Sequence, residues 1–131
     1  TSDLSAEFVK YDLAGLDLSN ADLAGSMFSV SNLRNSNLNG ADLSDIIAYA
    51  TRFDNSDLSG SSFRNADLLK SRFDNAQIDG ADFTDALLDL SQQKSLCERA
   101  TGKNPQTGVD TFDSLECTGL ATRYIPPSPG A

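Results

Sequence analysis

Between Phe8 and Leu88 every fifth residue is Leu, Phe or Ile, with Ala48 as the single exception. A five-residue period matches neither the 3.6-residue repeat of a helix nor the two-residue repeat of a strand. It fits a solenoid, in which each short unit forms one side of a coil and stacked coils share a core. With four units to a coil, the central residues fall into four columns. These are Phe8, Phe28, Ala48, Leu68, Leu88; Leu13, Leu33, Phe53, Phe73; Leu18, Leu38, Leu58, Ile78; and Leu23, Leu43, Phe63, Phe83. Two columns change from Leu to Phe halfway, as expected if like stacks on like. At a strand spacing of about 4.8 Å the repeat predicts a stub of slightly more than four coils, roughly 20 Å tall.

The other positions of the unit follow from geometry. Two residues before most central ones stands a small residue, such as Ala21, Ser26, Ser31, Ser36, Ala41, Ala66, Ser71 or Ala81. Side chains alternate in direction along extended chain, so this residue also points inward and must be small. The fifth position is Gly or Asn in ten of seventeen units, the residues that best tolerate the positive φ of a sharp corner. The two positions flanking the central residue face solvent. Tyr11 and Leu16 are bulky at small-residue positions and are expected to plug an open core end. Ile46 and Ala48 exchange large and small within one unit, which predicts compensated packing, with a kink or bulge at a binding site as the alternative.

Units such as Asn20-Ala21-Asp22-Leu23-Ala24-Gly25 and Gly40-Ala41-Asp42-Leu43 resemble the A(D/N)LXX consensus of pentapeptide-repeat proteins, and the resemblance covers about 85 residues without a gap. It implies an all-β fold, a right-handed quadrilateral β-helix; the handedness rests on the family alone.

After Leu90 the period stops. Residues 90–100 read as a short helix, with Ser91 placed to cap it and Gly102 as the stop. A loop follows to Gly108, and Asp110 or Thr111 is placed to cap a second short helix reaching Cys117. Leu96, Phe112 and Leu115 supply the apolar contacts. Such a segment would cover the edge that a solenoid end leaves open. Cys97 and Cys117 are the two cysteines. A bridge between them would close a loop of roughly 20 residues; free thiols in a reducing compartment are the alternative. The pair brackets a short polar segment with little other means of holding shape, which favours the bridge. This segment also resembles the C-terminal cap of lumenal pentapeptide-repeat proteins of cyanobacteria and chloroplasts. That resemblance implies a disulfide between two short helices and a thylakoid-lumen or periplasmic location after removal of a targeting segment. Phe112 departs from it, standing where a basic residue is expected. The chain thus divides into a lead-in (1–5), the repeat (6–90), a helical cap (91–117) and an extended tail (118–131).

The chain has 131 residues and a formal charge of −9, and it lacks His. Residues 1–90 hold 15 acids and 6 bases; the remainder holds four of each. An acidic chain is a poor electrostatic partner for phosphate, so no direct nucleic-acid binding is expected. No apolar run approaches a membrane span, and no membrane insertion is expected. Nucleophile–base pairs need a partner such as His beside Ser or Cys. Carboxylate catalysis needs a pocket that shifts pKa, whereas these aspartates sit on a convex surface. Metal-ligand spacing and phosphate-binding glycine loops are missing. The expectation is no enzyme activity, no cofactor and no metal.

Sorting the outward positions by column separates four faces. Three are polar. The first (Glu7, Val9, Met27, Ser29, Ile47, Tyr49, Asp67, Leu69, Leu87, Asp89) has six large apolar residues among ten. Exposed apolar area of this kind signals a partner or a covering segment. Val9, Met27, Ile47, Tyr49 and Leu69 are therefore the candidate interaction residues, for a protein partner whose identity the sequence does not give; nor does it give an oligomeric state. Cover by the tail or the cap is the competing expectation. A different class of function is an acidic DNA mimic acting on DNA gyrase, as some relatives in this family do, carried here by Asp17, Asp22, Asp42, Asp57, Asp79 and Asp82. A redox-responsive protein switched through Cys97 and Cys117 is a third.

Overall fold

A computed structural model describes residues 10–118. The expected lead-in, Phe8, Val9 and the tail from residue 119 onward lie outside the described residues.

Parallel bridges join residues 20 apart throughout the repeat. One face carries Asp12, Asn32, Arg52 and Arg72; the next Asp17, Asn37, Asp57 and Gln77; then Asp22, Asp42, Ser62 and Asp82; then Met27, Ile47, Asp67 and Leu87. Four units thus close each coil, and every coil stacks on the one before in register. The ladder runs in both directions: Leu13 N donates to Asn32 O at 2.8 Å, and Asn32 N donates to Tyr11 O at 2.9 Å. Among the described residues no face forms a continuous strand, because a corner interrupts the ladder in every unit. The β character is a set of single-residue bridges.

The corners are uniform. Every fifth residue from Lys10 to Asp85 has positive φ, including Lys10, Val30, Asp45, Ala50, Lys70 and Asp85, which are neither Gly nor Asn. Most turns close with a bond from the following small residue back to the central one, as Ala21 N donates to Leu18 O at 3.1 Å. Three described amides at this position donate to a hydroxyl of the next coil instead, one of them Tyr11 N to Ser31 Oγ at 3.3 Å. Ser56 Oγ accepts from Ser36 N at 3.2 Å and donates to Leu33 O at 2.6 Å. Ser71 Oγ likewise accepts from Thr51 N at 3.0 Å and donates to Ala48 O. Interior serines thereby satisfy backbone groups that burial would otherwise leave unpaired.

The core is the predicted set of columns. Phe53 stacks on Phe73 with centroids 5.0 Å apart, and Phe63 on Phe83 at 5.2 Å. Rings of neighbouring columns meet edge to face, Phe53 and Phe63 at 5.8 Å. Ile46 and Ala48 are both buried, and the bridges from Met27 through Ile47 to Asp67 keep the register. The exchanged volumes are compensated, with no bulge. Tyr11 and Leu16, expected to plug a core end, are instead exposed large apolar residues of the first described coil.

The cap contains α1, Leu90–Cys97, and α2, Thr111–Ser114. The N-cap of helix α1 is Asp89, two residues before the expected Ser91. The Asp89 carboxylate makes no cap bond; it accepts from Lys70 N at 2.9 Å instead. Asp110 does cap α2, accepting from Phe112 N and Asp113 N. Leu96 and Leu115 are buried, whereas Phe112 is 40% exposed.

The cap pairs with the open edge of the last coil, side chain by side chain. Gln92 Oε1 accepts from Phe73 N at 3.2 Å, and Ser114 Oγ accepts from Phe83 N at 2.9 Å. The Arg99 guanidinium donates to Phe73 O at 2.7 Å and Ala76 O at 3.2 Å. Asn104 is buried: its Nδ2 donates to Ser61 O at 2.9 Å and Gly80 O at 3.0 Å, while its Oδ1 accepts from Gln106 N and Thr107 N at 2.9 Å. The loop lies so close that a Cβ on Gly80 would sit 2.9 Å from Lys103 O. Cys97 and Cys117 form a disulfide, with Cα atoms 5.7 Å apart.

Candidate interaction face

Each unit projects the residues on either side of its central one. On the first face this register stacks Met27, Ile47, Asp67 and Leu87 in one row. Tyr49 and Leu69 stand in the adjacent row, where Val30 N donates to Tyr49 O at 2.8 Å and Ala50 N to Leu69 O at 2.9 Å. The structure therefore brings Met27, Ile47, Tyr49 and Leu69 onto one face; Val9 lies outside the described residues. Tyr49 is 45% exposed, Ile47 41% and Leu87 54%, while Met27 and Leu69 are half-buried. The patch is wider than its outward positions alone. Val30, 51% exposed, occupies the adjoining corner column with Ala50, and Leu90, the first residue of α1, is exposed as well. Corner residues were read only as turn formers, so Val30 was missed. Its presence at a position that favours Gly or Asn was the available signal.

The acidic residues have a different explanation. Asp17, Asp22, Asp42, Asp57 and Asp82 all stand just before a central residue, and each Oδ1 accepts the backbone N–H of the residue just after it. The partners are Ser19, Ala24, Ser44, Ser59 and Thr84, at 2.9–3.2 Å. Asn32 and Asn37 make the same bond to Arg34 and Asn39. An outward N–H that the coil ladder leaves free is satisfied by a short side-chain oxygen. This accounts for Asp or Asn at the position, and Asn serves as well as Asp. Asp79 accepts from Thr101 Oγ1 of the cap at 2.9 Å.

Asp82 is corrected as a surface residue. Its side chain is fully buried under the cap loop, bonded to Thr84 and Thr107 Oγ1 and paired with Arg64 at 3.1 Å. Burial alone would push this carboxyl up; bonds from Thr84, Thr107 and Arg64 outweigh it and hold it below the usual range. At Asp54, burial is likewise outweighed by the two-pronged bond from Arg52, at 3.1 and 2.7 Å. The Ser19 hydroxyl and amide lower Asp17. Lowered carboxyls are ionised acceptors at neutral pH, the opposite of a raised general acid. Among the described residues, no group of three His, Cys, Asp or Glu is arranged to hold a metal, and no helix is long and apolar enough to cross a membrane.

A family model described as pentapeptide repeats matches residues 6–46 and 50–88, in eight copies. The chain belongs to the pentapeptide-repeat family. The interruption falls on Ile47, Ala48 and Tyr49, where the patch and the exchanged volumes coincide. The thylakoid lumenal protein TL20.3, chloroplastic, of Arabidopsis thaliana is 61% identical over 33 residues, which are 25% of this chain and 12% of that protein. A solved pentapeptide-repeat protein from the Arabidopsis thaliana thylakoid lumen is 29% identical, with 86% of this chain and 89% of that one covered and a TM-score of 0.37. QnrB1, a plasmid-mediated fluoroquinolone resistance protein, is 21% identical over 63% of this chain and 46% of its own, with a TM-score of 0.50, a likeness of fold.

Proposed function

We propose that this chain is a non-catalytic structural and protein-interaction module, wound as a right-handed quadrilateral β-helix, that works in a thylakoid lumen or a comparable oxidising compartment. The observation that carries the interaction reading is the exposed apolar strip of Ile47, Tyr49, Leu87 and Val30 along one side of the coil stack. The right hand is taken from family membership. The compartment is supported by the TL20.3 likeness and, independently, by the Cys97–Cys117 disulfide, a bond that reducing compartments do not sustain.

The test is capture of a partner from the native compartment by the wild-type protein and by Met27→Glu/Tyr49→Glu. Both residues lie outside the core columns, so the double variant should melt within a few degrees of wild type. It should lose a partner that the wild type retains. Identical capture by both proteins removes the reading.

The charge of −9 supports a second reading, the acidic DNA mimic. It is weakened where five of its six aspartates serve the turns of the repeat. A gyrase supercoiling assay decides it, since no effect at micromolar protein removes it.

A further inference from the structure

Asn39 and Gly40 form one corner of the repeat, and Asn39 is the one asparagine of the chain that glycine follows. A glycine carries no Cβ to keep its nitrogen away from the preceding side chain. Such a nitrogen can attack the asparagine Cγ. The new C–N bond closes a five-membered imide, the carboxamide nitrogen leaves as ammonia, and the proton of the attacking amide goes with it. Water then opens the ring at either carbonyl. One opening yields aspartate. The other yields isoaspartate, in which the main chain runs through the side chain and is longer by one atom. Asn39 is exposed, so water reaches it. The peptide between the two residues is nonetheless held from both sides. Asn39 O accepts from Asn20 N of the coil before, at 2.8 Å, and Gly40 N donates to Ser59 O of the coil after, at 3.0 Å. Asn39 N donates to Asn37 Oδ1 at 3.0 Å. Ring closure requires the Gly40 nitrogen to lose its proton and turn toward the side chain, so the bond to Ser59 must open first.

We propose that Asn39 is a site of spontaneous deamidation gated by the stacking of the second coil. The closed coil blocks the reaction, opening permits it, and the isoaspartate product prevents re-closure. The two products differ in fit. Asp79 and Gly80 occupy the same corner two coils on, with Gly80 at φ 75° and Gly40 at φ 71°. An aspartate at position 39 therefore keeps the corner. Isoaspartate moves the carbonyl that Asn20 N uses off the main chain and adds an atom before the amide that Ser59 O uses. The lengthened unit cannot keep both groups in the ladder, and their partners lose bonds that burial demands. Modification thus leaves a lasting record of coil opening, whether or not a partner takes the apolar strip.

Peptide mapping by mass spectrometry, after incubation of the full chain in mildly alkaline buffer, tests it. The samples are folded wild type, wild type unfolded in guanidinium chloride, and folded Leu38→Val. Leu38 is the buried central residue of the Asn39 unit, so the smaller side chain favours opening of that coil. Position 39 should deamidate at least about tenfold faster in the unfolded chain than in the folded one, with Leu38→Val between them. Equal rates in folded and unfolded wild type overturn the proposal. So does a Leu38→Val protein that melts lower yet deamidates no faster than wild type. Should Leu38→Val fail to fold, the wild-type pair decides alone. The products are then returned to native buffer and compared by hydrogen exchange. Asn39→Asp should protect the Gly40 amide as wild type does, and the isoaspartate form should lose that protection. Full protection in the isoaspartate form overturns the block on re-closure.

Discussion

Val30 is a β-branched residue held at φ 60°, in a conformation that costs an L side chain roughly 1–2 kcal/mol. Asn occupies the corner of the next unit at φ 59°. Val30→Asn should therefore stabilise the protein by about 1 kcal/mol, read as a higher urea midpoint with an unchanged slope. A lower midpoint would mean that Val30 side-chain packing outweighs the backbone strain. The opposite sign is expected at Ser56, whose hydroxyl bridges Ser36 N and Leu33 O across coils. Ser56→Ala leaves both buried groups unpaired and should cost about 1–3 kcal/mol by the same measurement. These two positions mark how far single residues are legible in the sequence. Gly15, Asn20 and their like announce the corners, and Leu13 or Phe53 the interior. Ser56 reads only as small; the need for a hydroxyl arises from an open turn one coil away. Asp at the position before the central residue likewise reads as surface charge until its bond to a neighbouring amide is seen.

At the scale of elements, the cap is held by side chains reaching the backbone of the last coils. Asn104 is central to it, binding carbonyls of Ser61 and Gly80 with one end and two loop amides with the other. Asn104→Ala should lower stability by roughly 2–3 kcal/mol, comparable to the loss of about 3 kcal/mol expected on reducing a 20-residue disulfide loop. Melting curves with and without dithiothreitol, on both proteins, compare the two. Asp82 adds a pH dependence. Its folded pKa lies below the ordinary aspartate value of about 3.8, so the unfolded chain binds the proton more tightly between those values. Stability from this group is complete above about pH 5 and is lost as pH falls below 3.8 through the lower folded value. Asp82→Asn should be less stable at pH 7 by about 1–2 kcal/mol and show a shallower acid transition below pH 4. The two helices and the cysteine pair were legible, because capping residues and spacing are local signals. Asn104 was not: it sits in a stretch that reads as loop, and its partners converge only once coils have stacked. The N-cap of α1, Asp89 in place of Ser91, was missed for a related reason, since the Asp89 carboxylate is drawn to Lys70 N, nineteen positions away in the chain.

The whole molecule is graded along its axis. Stacked Phe rings fill the third and fourth coils, whereas Leu33, Leu38 and Leu43 fill the second. Tyr11 and Leu16 leave the first described coil partly exposed, while the cap closes the far end. Solenoids open from weak ends, so amides of 53–83 should exchange more slowly than those of 13–38 in native-state hydrogen exchange. Uniform protection would show a single cooperative unit instead. The candidate face was legible at this scale because sorting by twenties recovers the register that the bridges display. Its width was not, since Val30 belongs to a corner.

The same register makes a sharp distinction between lengths. Removing one unit, for instance residues 51–55, keeps every central residue facing inward, so the coil could still close. Everything downstream would turn by a quarter, however. Arg72 would stand over Ile47 where Asp67 does now, and the apolar strip would be broken into a staircase. Removing twenty residues would shorten the strip and leave it straight. The chain can thus be cut or lengthened in fives as an object that folds, but only in twenties as a surface that is recognised.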